Sequence, residues 1–163
     1  MCQSLAFIKS ILQFQNTSDL KNVKYETYNS EYESACFQIN DITFRSRLAK
    51  KTPNKKGYFV VFWTKDENNK NRPFTYEECP DKLIVSIIDD RHKGLFIFSK
   101  SILKAQKLLQ TEHSKGKMAI RVYPTWETEL NQTAKKSQKW QTDYFIDLSL
   151  ETDQQLLKQL LEK

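Results

Sequence analysis

Arg45-Ser46-Arg47-Leu48-Ala49-Lys50-Lys51-Thr52-Pro53-Asn54-Lys55-Lys56 carries six cations and no anion, and it runs directly into Gly57-Tyr58-Phe59-Val60-Val61-Phe62-Trp63. The second stretch is apolar on both faces, as a central strand behind a turn glycine must be. The first is a Pro-punctuated basic edge fixed to that strand. A rigid core strand with a basic rim predicts an α/β sheet domain that holds something anionic, with nucleic acid the leading partner.

Working outward, hydrophobic runs and turn residues place the other elements. Leu5, Ile8, Ile11, Leu12 and Phe14 recur at helical spacing over about residues 3–15. Tyr25, Tyr28 and Tyr32 share one face of an expected second helix ending near Cys36. Residues 41–48 alternate, with Ile42, Phe44 and Leu48 on one side and Thr43, Arg45 and Arg47 on the other. That is a half-exposed strand presenting two arginines from the same face. Asn-rich Lys65 to Lys70 reads as a hairpin connection, and Leu83 to Ile88 and Leu95 to Phe98 as buried strands. Ser99 caps a helix through Leu109. Ile120 and Val122 face inward on a short strand that Pro124 breaks. Thr125 opens a helix to Gln141, Asp143 to Leu148 is a last strand, and Thr152 to Glu162 a closing helix. The expectation is one α/β (α+β) domain over residues 1–163, a mixed sheet flanked by helices.

Charge is polarised along the chain. The net value is +6, yet residues 1–41 hold three basic and five acidic side chains. The excess sits in the middle, with a second basic cluster at Lys115, Lys117, Arg121, Lys135, Lys136 and Lys139. Uneven charge of this kind favours a phosphate-bearing partner. Cys2, Cys36 and Cys79 lack the spacing of a disulfide framework or a zinc cluster. The N-terminal apolar stretch contains Lys9 and lacks a cleavage site, and no stretch reaches the length of a membrane span. Cytoplasmic residence is the expectation.

The chemistry-bearing candidates form three sets. Arg45, Arg47 and Arg121 would line a guanidinium floor if their strands present the same face, since a planar fork binds phosphate or carboxylate bidentately. The competing reading pairs them with Glu26, Glu31 or Glu33. Gln138 and Gln141 project from one helix face among lysines, where amides either meet a nucleic acid or cap a neighbouring loop. Trp140 and Tyr144 read as core, although aromatics beside lysines also suit base stacking. Glu33, Asp81 and Lys100 are the acids and lysine a metal-dependent nuclease would use, with Mg²⁺ as cofactor. Phe98 stands where such a site needs a carboxylate two residues before Lys100, so the set is incomplete. Neither GxxxxGK[ST] nor GxGxxG occurs, and neither His92 nor His113 has a nucleophile motif.

With these blocks in place, the chain resembles the MepB family over about residues 25–148. The resemblance is carried by Phe44-Arg45, Ala49 through Val60, Trp63, Pro73-Phe74, Gly94 through Lys100 and Gly116-Lys117. It continues through Arg121-Val122-Tyr123-Pro124, Trp126, Ala134, Ser137 through Gln141 and Tyr144-Phe145. Tyr58 stands where that family usually has Gln, and Ser99 where it has Pro. The family takes its name from gene proximity to a multidrug efflux pump and its repressor, and the resemblance implies a restriction-endonuclease-like core without an activity to carry over.

Three functions follow. The leading one is non-catalytic binding of nucleic acid or another polyanion through Arg45, Arg47, Lys50, Lys56, Arg121, Gln138 and Gln141, with no metal or cofactor. The second is a Mg²⁺-dependent nuclease using Glu33, Asp81 and Lys100. The third is a small anionic ligand site, or an interaction surface, in drug response.

Overall fold

Leu83 to Ile88 and Leu95 to Phe98 become adjacent central strands because their side chains are apolar on both sides and must be covered twice. A computed structural model describes residues 2–162. Its elements are α1 (Gln3–Phe14), β1 (Lys21–Tyr25), β2 (Ala35–Ile39), β3 (Ile42–Leu48), β4 (Lys50–Thr52), β5 (Lys55–Val61), β6 (Trp63–Lys65) and β7 (Asn71–Pro73). They continue with β8 (Lys82–Ile88), β9 (Lys93–Ser99), α2 (Lys100–Ala105), β10 (Ala119–Val122), α3 (Gln132–Gln141), β11 (Phe145–Asp147) and α4 (Gln154–Leu161).

The six-stranded sheet runs β1-β2-β3-β8-β9-β11, mixed because β3 and β8 pair in parallel while the other neighbours are antiparallel. One face carries Phe44, Ile84, Leu95, Ile97 and Ile146 beneath Leu5, Ile8 and Leu12 of α1 and Leu157 and Leu161 of α4. The opposite face carries Leu83, Val85, Ile87, Phe96 and Phe98. It is roofed by a second, antiparallel sheet ordered β10-β5-β4, whose Tyr58, Val60 and Val122 point into the same core. This is a mixed α+β domain with helices flanking a central sheet, as the hydrophobic pattern predicts.

Four local expectations are corrected. The tyrosine-faced second helix does not form. Its residues make β1, one 3₁₀ turn (Ser30–Tyr32) and the start of β2. Asn29 and Glu33 take left-handed backbone at φ 64° and 49°, which ends a right-handed helix, so the tyrosine spacing is coincidental. The helix expected from Thr125 begins at Gln132, where Asn131 accepts from Ala134 N–H. Ser99 does cap α2, accepting from Ile102 N–H, but the helix stops at Ala105, two residues before left-handed Lys107. The last helix starts at Gln154, capped by Asp153 in place of Thr152.

The basic run itself is a hairpin, β4 and β5 joined at Pro53-Asn54. Gly57 lies within β5 at φ 80°, beside an irregularity in the β4–β5 register. A Cβ there would stand 2.7 Å from the Tyr123 ring and 2.8 Å from Val122 O. Glycine is therefore required on both conformational and steric grounds.

Candidate polyanion-binding site

Alternation in β3 does put Arg45 and Arg47 on one face, but that face is the interior roofed by β5. Arg47 is fully buried. Its Nη1 donates to Glu26 Oε1 at 2.7 Å and to Ser46 O, its Nη2 to Asn29 Oδ1, and its Nε to Val61 O. Burial lowers its pKa, and Glu26 works against that fall. Arg45 donates Nε to the same carboxylate at 3.2 Å, and its guanidinium lies 3.6 Å from the Phe74 ring centroid. The expected arginine floor is thus corrected. Two of its members are Glu26's structural partners, and Arg121 lies in the other sheet.

Arg121 pairs across β10–β5 with Phe59, and Phe59 pairs across β5–β4 with Lys50. Tyr58 and Val60 point into the core, so Phe59 and its two basic neighbours share the outer face. Arg121 Nη1 donates to Lys56 O, and its guanidinium sits 5.5 Å from the Phe59 centroid. Lys50 Nζ is 5.0 Å from the Tyr32 ring, which in turn meets Phe59 edge-on at 6.4 Å. The three strands together hold five basic side chains and no acidic one.

Two adjoining cavities extend this face toward α3. One, about 510 Å³, is lined by Asn54, Lys55, Lys56, Arg121, Tyr123 and Glu129 among others. The other, about 340 Å³, includes Lys117, Arg121, Tyr123 and Lys136. Arg121 and Tyr123 belong to both. Lys56 Nζ donates to Thr128 O and lies 4.0 Å from the exposed Glu129 carboxylate.

Gln138 and Gln141 take the second of their two expected roles. Gln141 is buried and makes two bonds, Nε2 to Arg121 O at 3.1 Å and Oε1 from Tyr123 N–H at 2.8 Å. One amide thereby imitates a strand neighbour along the open edge of β10. Gln138 donates to Pro124 O and Glu127 O. Trp140 and Tyr144 pack on Phe98.

Lys51 points to the opposite side of its hairpin. It pairs with Asp89 at 2.9 Å, and Asp89 also accepts from Tyr58 Oη at 2.7 Å. Those two bonds, Lys51's first, pull Asp89 down to about 2, while burial and the same bond push Tyr58 upward. Trp126 Nε1 donates to Tyr58 Oη, and His92 stacks on Trp126 at 4.5 Å.

Of the three nuclease candidates, Asp81 and Lys100 are neighbours, Lys100 N–H donating to Asp81 O at 2.9 Å, but Glu33 does not join them. Glu33 accepts from Ser4 N–H at 2.7 Å, capping α1. Asp81 accepts from the backbone and hydroxyl of Thr43, at the other end of β3 from the Ser46 that pairs near Glu33. The ammonium of Lys100 lies 4.2 Å from the Tyr76 ring. Among the described residues no group of three His, Cys, Asp or Glu side chains is placed to hold a metal, and no helix is long and apolar enough to cross a membrane.

Sequence reasoning named Glu26 among the possible arginine partners, and the structure selects it; it missed Asn29, which lay in a helix that does not form. It placed Phe59 inside a strand covered on both faces, whereas this residue is partly exposed. The Pro53-Asn54 turn does not give the face of Phe59, because the irregularity at Gly57 shifts the register between the turn and this residue.

These features define a small α+β domain whose second sheet presents a basic outer face. The chain belongs to the MepB-like family, matching it over residues 26–147. A crystal structure of MepB is 44% identical, with a TM-score of 0.82 over 93% of this chain and 100% of that one. A bacterial homing endonuclease, 10% identical, aligns at a TM-score of 0.44 over 85% of this chain and 84% of its own. No curated protein matches the chain.

Proposed function

We propose that the protein binds nucleic acid, without catalysis, on the outer face of the β10-β5-β4 sheet and the groove between β10 and α3. The observation that carries this reading is the charge of that sheet, which holds no acidic side chain and keeps four basic ones once Lys51 is set aside as the partner of Asp89. Lys50, Lys55, Lys56 and Arg121 are its contacts, joined by Lys117 and Lys136 on the groove walls. Lysines placed along a groove meet phosphates as point charges, and Arg121 adds a bidentate fork. Arg45 and Arg47, engaged by Glu26, support the sheet from beneath.

Binding through several phosphate contacts releases counterions, so affinity must fall steeply with salt. The test is affinity for fluorescent oligonucleotides at salt concentrations between about 50 and 200 mM. The expected result is a negative log–log slope that becomes shallower in Lys55→Gln/Lys56→Gln and in Arg121→Gln. A flat response, or no binding at the lowest salt, overturns the reading.

A further inference from the structure

Resting on that reading, we infer that the outer face of the second sheet is a stacking platform for unpaired bases, so its nucleic acid is single-stranded. Lys50, Phe59 and Arg121 stand side by side on three adjacent strands, an aromatic ring between two cations. Tyr32 closes one side of this row, edge-on to Phe59 and beneath the Lys50 ammonium. On the other side, Tyr123 follows Arg121 by two residues and so returns to the same outer face. Its ring lies against the backbone of Gly57, where no Cβ intervenes.

Tyr32, Phe59 and Tyr123 are each partly exposed, whereas Tyr58 beside Phe59 is buried. A solubility surface has no use for three aromatic rings in a row of cations. Cations on a sheet follow a phosphate backbone, while rings between them accept the π-face of a base. That π-face is available only when the base is unstacked from a duplex. Phosphate contacts alone would serve a duplex as well as a single strand, so the rings between the cations are what favour the unpaired strand. The charge complementarity is direct, since Glu31, next to Tyr32, and Glu129, beside Lys56, are the acids adjoining this face, and both are exposed side chains at its margins.

The test compares a fluorescein-labelled twelve-nucleotide dT strand with a duplex of the same length at 50 mM salt, for the wild-type protein and for Phe59→Leu and Tyr123→Leu. Thermal melting first establishes which variants are folded. The wild type is expected to favour the single strand. Each folded variant is expected to lose about tenfold in single-strand affinity, the scale of one lost stacking contact, with its salt slope unchanged. A single strand carrying 2-aminopurine tests stacking without any variant, its fluorescence falling when the base stacks on the wild-type face. Equal affinity for strand and duplex, or 2-aminopurine emission that binding leaves unchanged, overturns the platform while leaving polyanion binding intact. No binding of either oligonucleotide at 50 mM salt overturns both.

Discussion

Arg47 and Glu26 form an ion pair, Nη1 to Oε1 at 2.7 Å, in which the guanidinium is fully buried and the carboxylate one-fifth exposed. Glu26 also receives Arg45, and Asn29 Oδ1 receives both Arg47 Nη2 and the backbone N–H of Trp63. This network ties the segment after β1 to β3 and to the junction between β5 and β6, so it fixes how the second sheet lies on the first. Its worth is in placement, because burying an ion pair gains little over well-packed apolar side chains.

Removing one partner is a different matter. Glu26→Ala leaves Arg47 charged, buried and facing another arginine, and is expected to cost about 3–5 kcal/mol. The double variant Glu26→Ala/Arg47→Met should recover much of that loss, because it removes both charges. Urea unfolding of the two single variants and the double variant measures the cycle. Equal destabilisation in the double variant and in Glu26→Ala would show that the charge is not what matters.

How legible this site was depends on what each residue's signal rested on. The β5, β8 and β9 strands were readable because apolar runs report burial directly, and Ser99 because a cap is a local bond. Arg45 and Arg47 were placed on the correct shared face of β3. What the sequence did not disclose was which face of β3 the second sheet would cover, since that depends on a long-range contact between β5 and the main sheet. The Gln141 amide illustrates the same limit. Its two partners, Arg121 O and Tyr123 N–H, are 18 to 20 residues away, and nothing local distinguishes an edge-capping glutamine from a solvated one.

Gln141→Leu fills the same volume without the amide and strips the edge of β10 of both bonds. Each unsatisfied buried backbone group costs about 1–3 kcal/mol, so a loss within or above that range is expected in chemical denaturation. Because the edge also shapes the groove, oligonucleotide affinity should fall with it. Unchanged stability would mean that water replaces the amide at both positions.

Ser86 makes the opposite prediction. Its hydroxyl, like that of Ser46, is buried without a hydrogen-bond partner among the described residues. Ser86→Ala removes a desolvated polar atom and opens little space, so the variant should be as stable as the wild type or more so by up to about 1 kcal/mol. A Tm below the wild-type value would reveal a bond this hydroxyl makes in solution.

The pH dependence of stability should carry the signature of Asp89. Its carboxyl is held down at about 2 by the bonds from Lys51 and Tyr58, whereas an unfolded chain leaves it near the ordinary aspartate value of about 3.9. A depressed folded-state pKa contributes stability that is fully present above the unfolded value and is lost as pH falls through about 4 toward 2. Asp89→Asn should therefore be less stable than the wild type at pH 7, by about 1–2 kcal/mol for hydrogen bonds to a charged group that is only partly buried. The difference between variant and wild type should shrink as pH drops through that window, because the unfolded wild-type chain takes up the Asp89 proton near its ordinary value while the folded one still resists it. Unfolding free energies measured at pH 7, 4 and 2.5 decide it. A gap that stays constant across the three would assign the loss to packing around Tyr58 and Trp126 instead of to the charge.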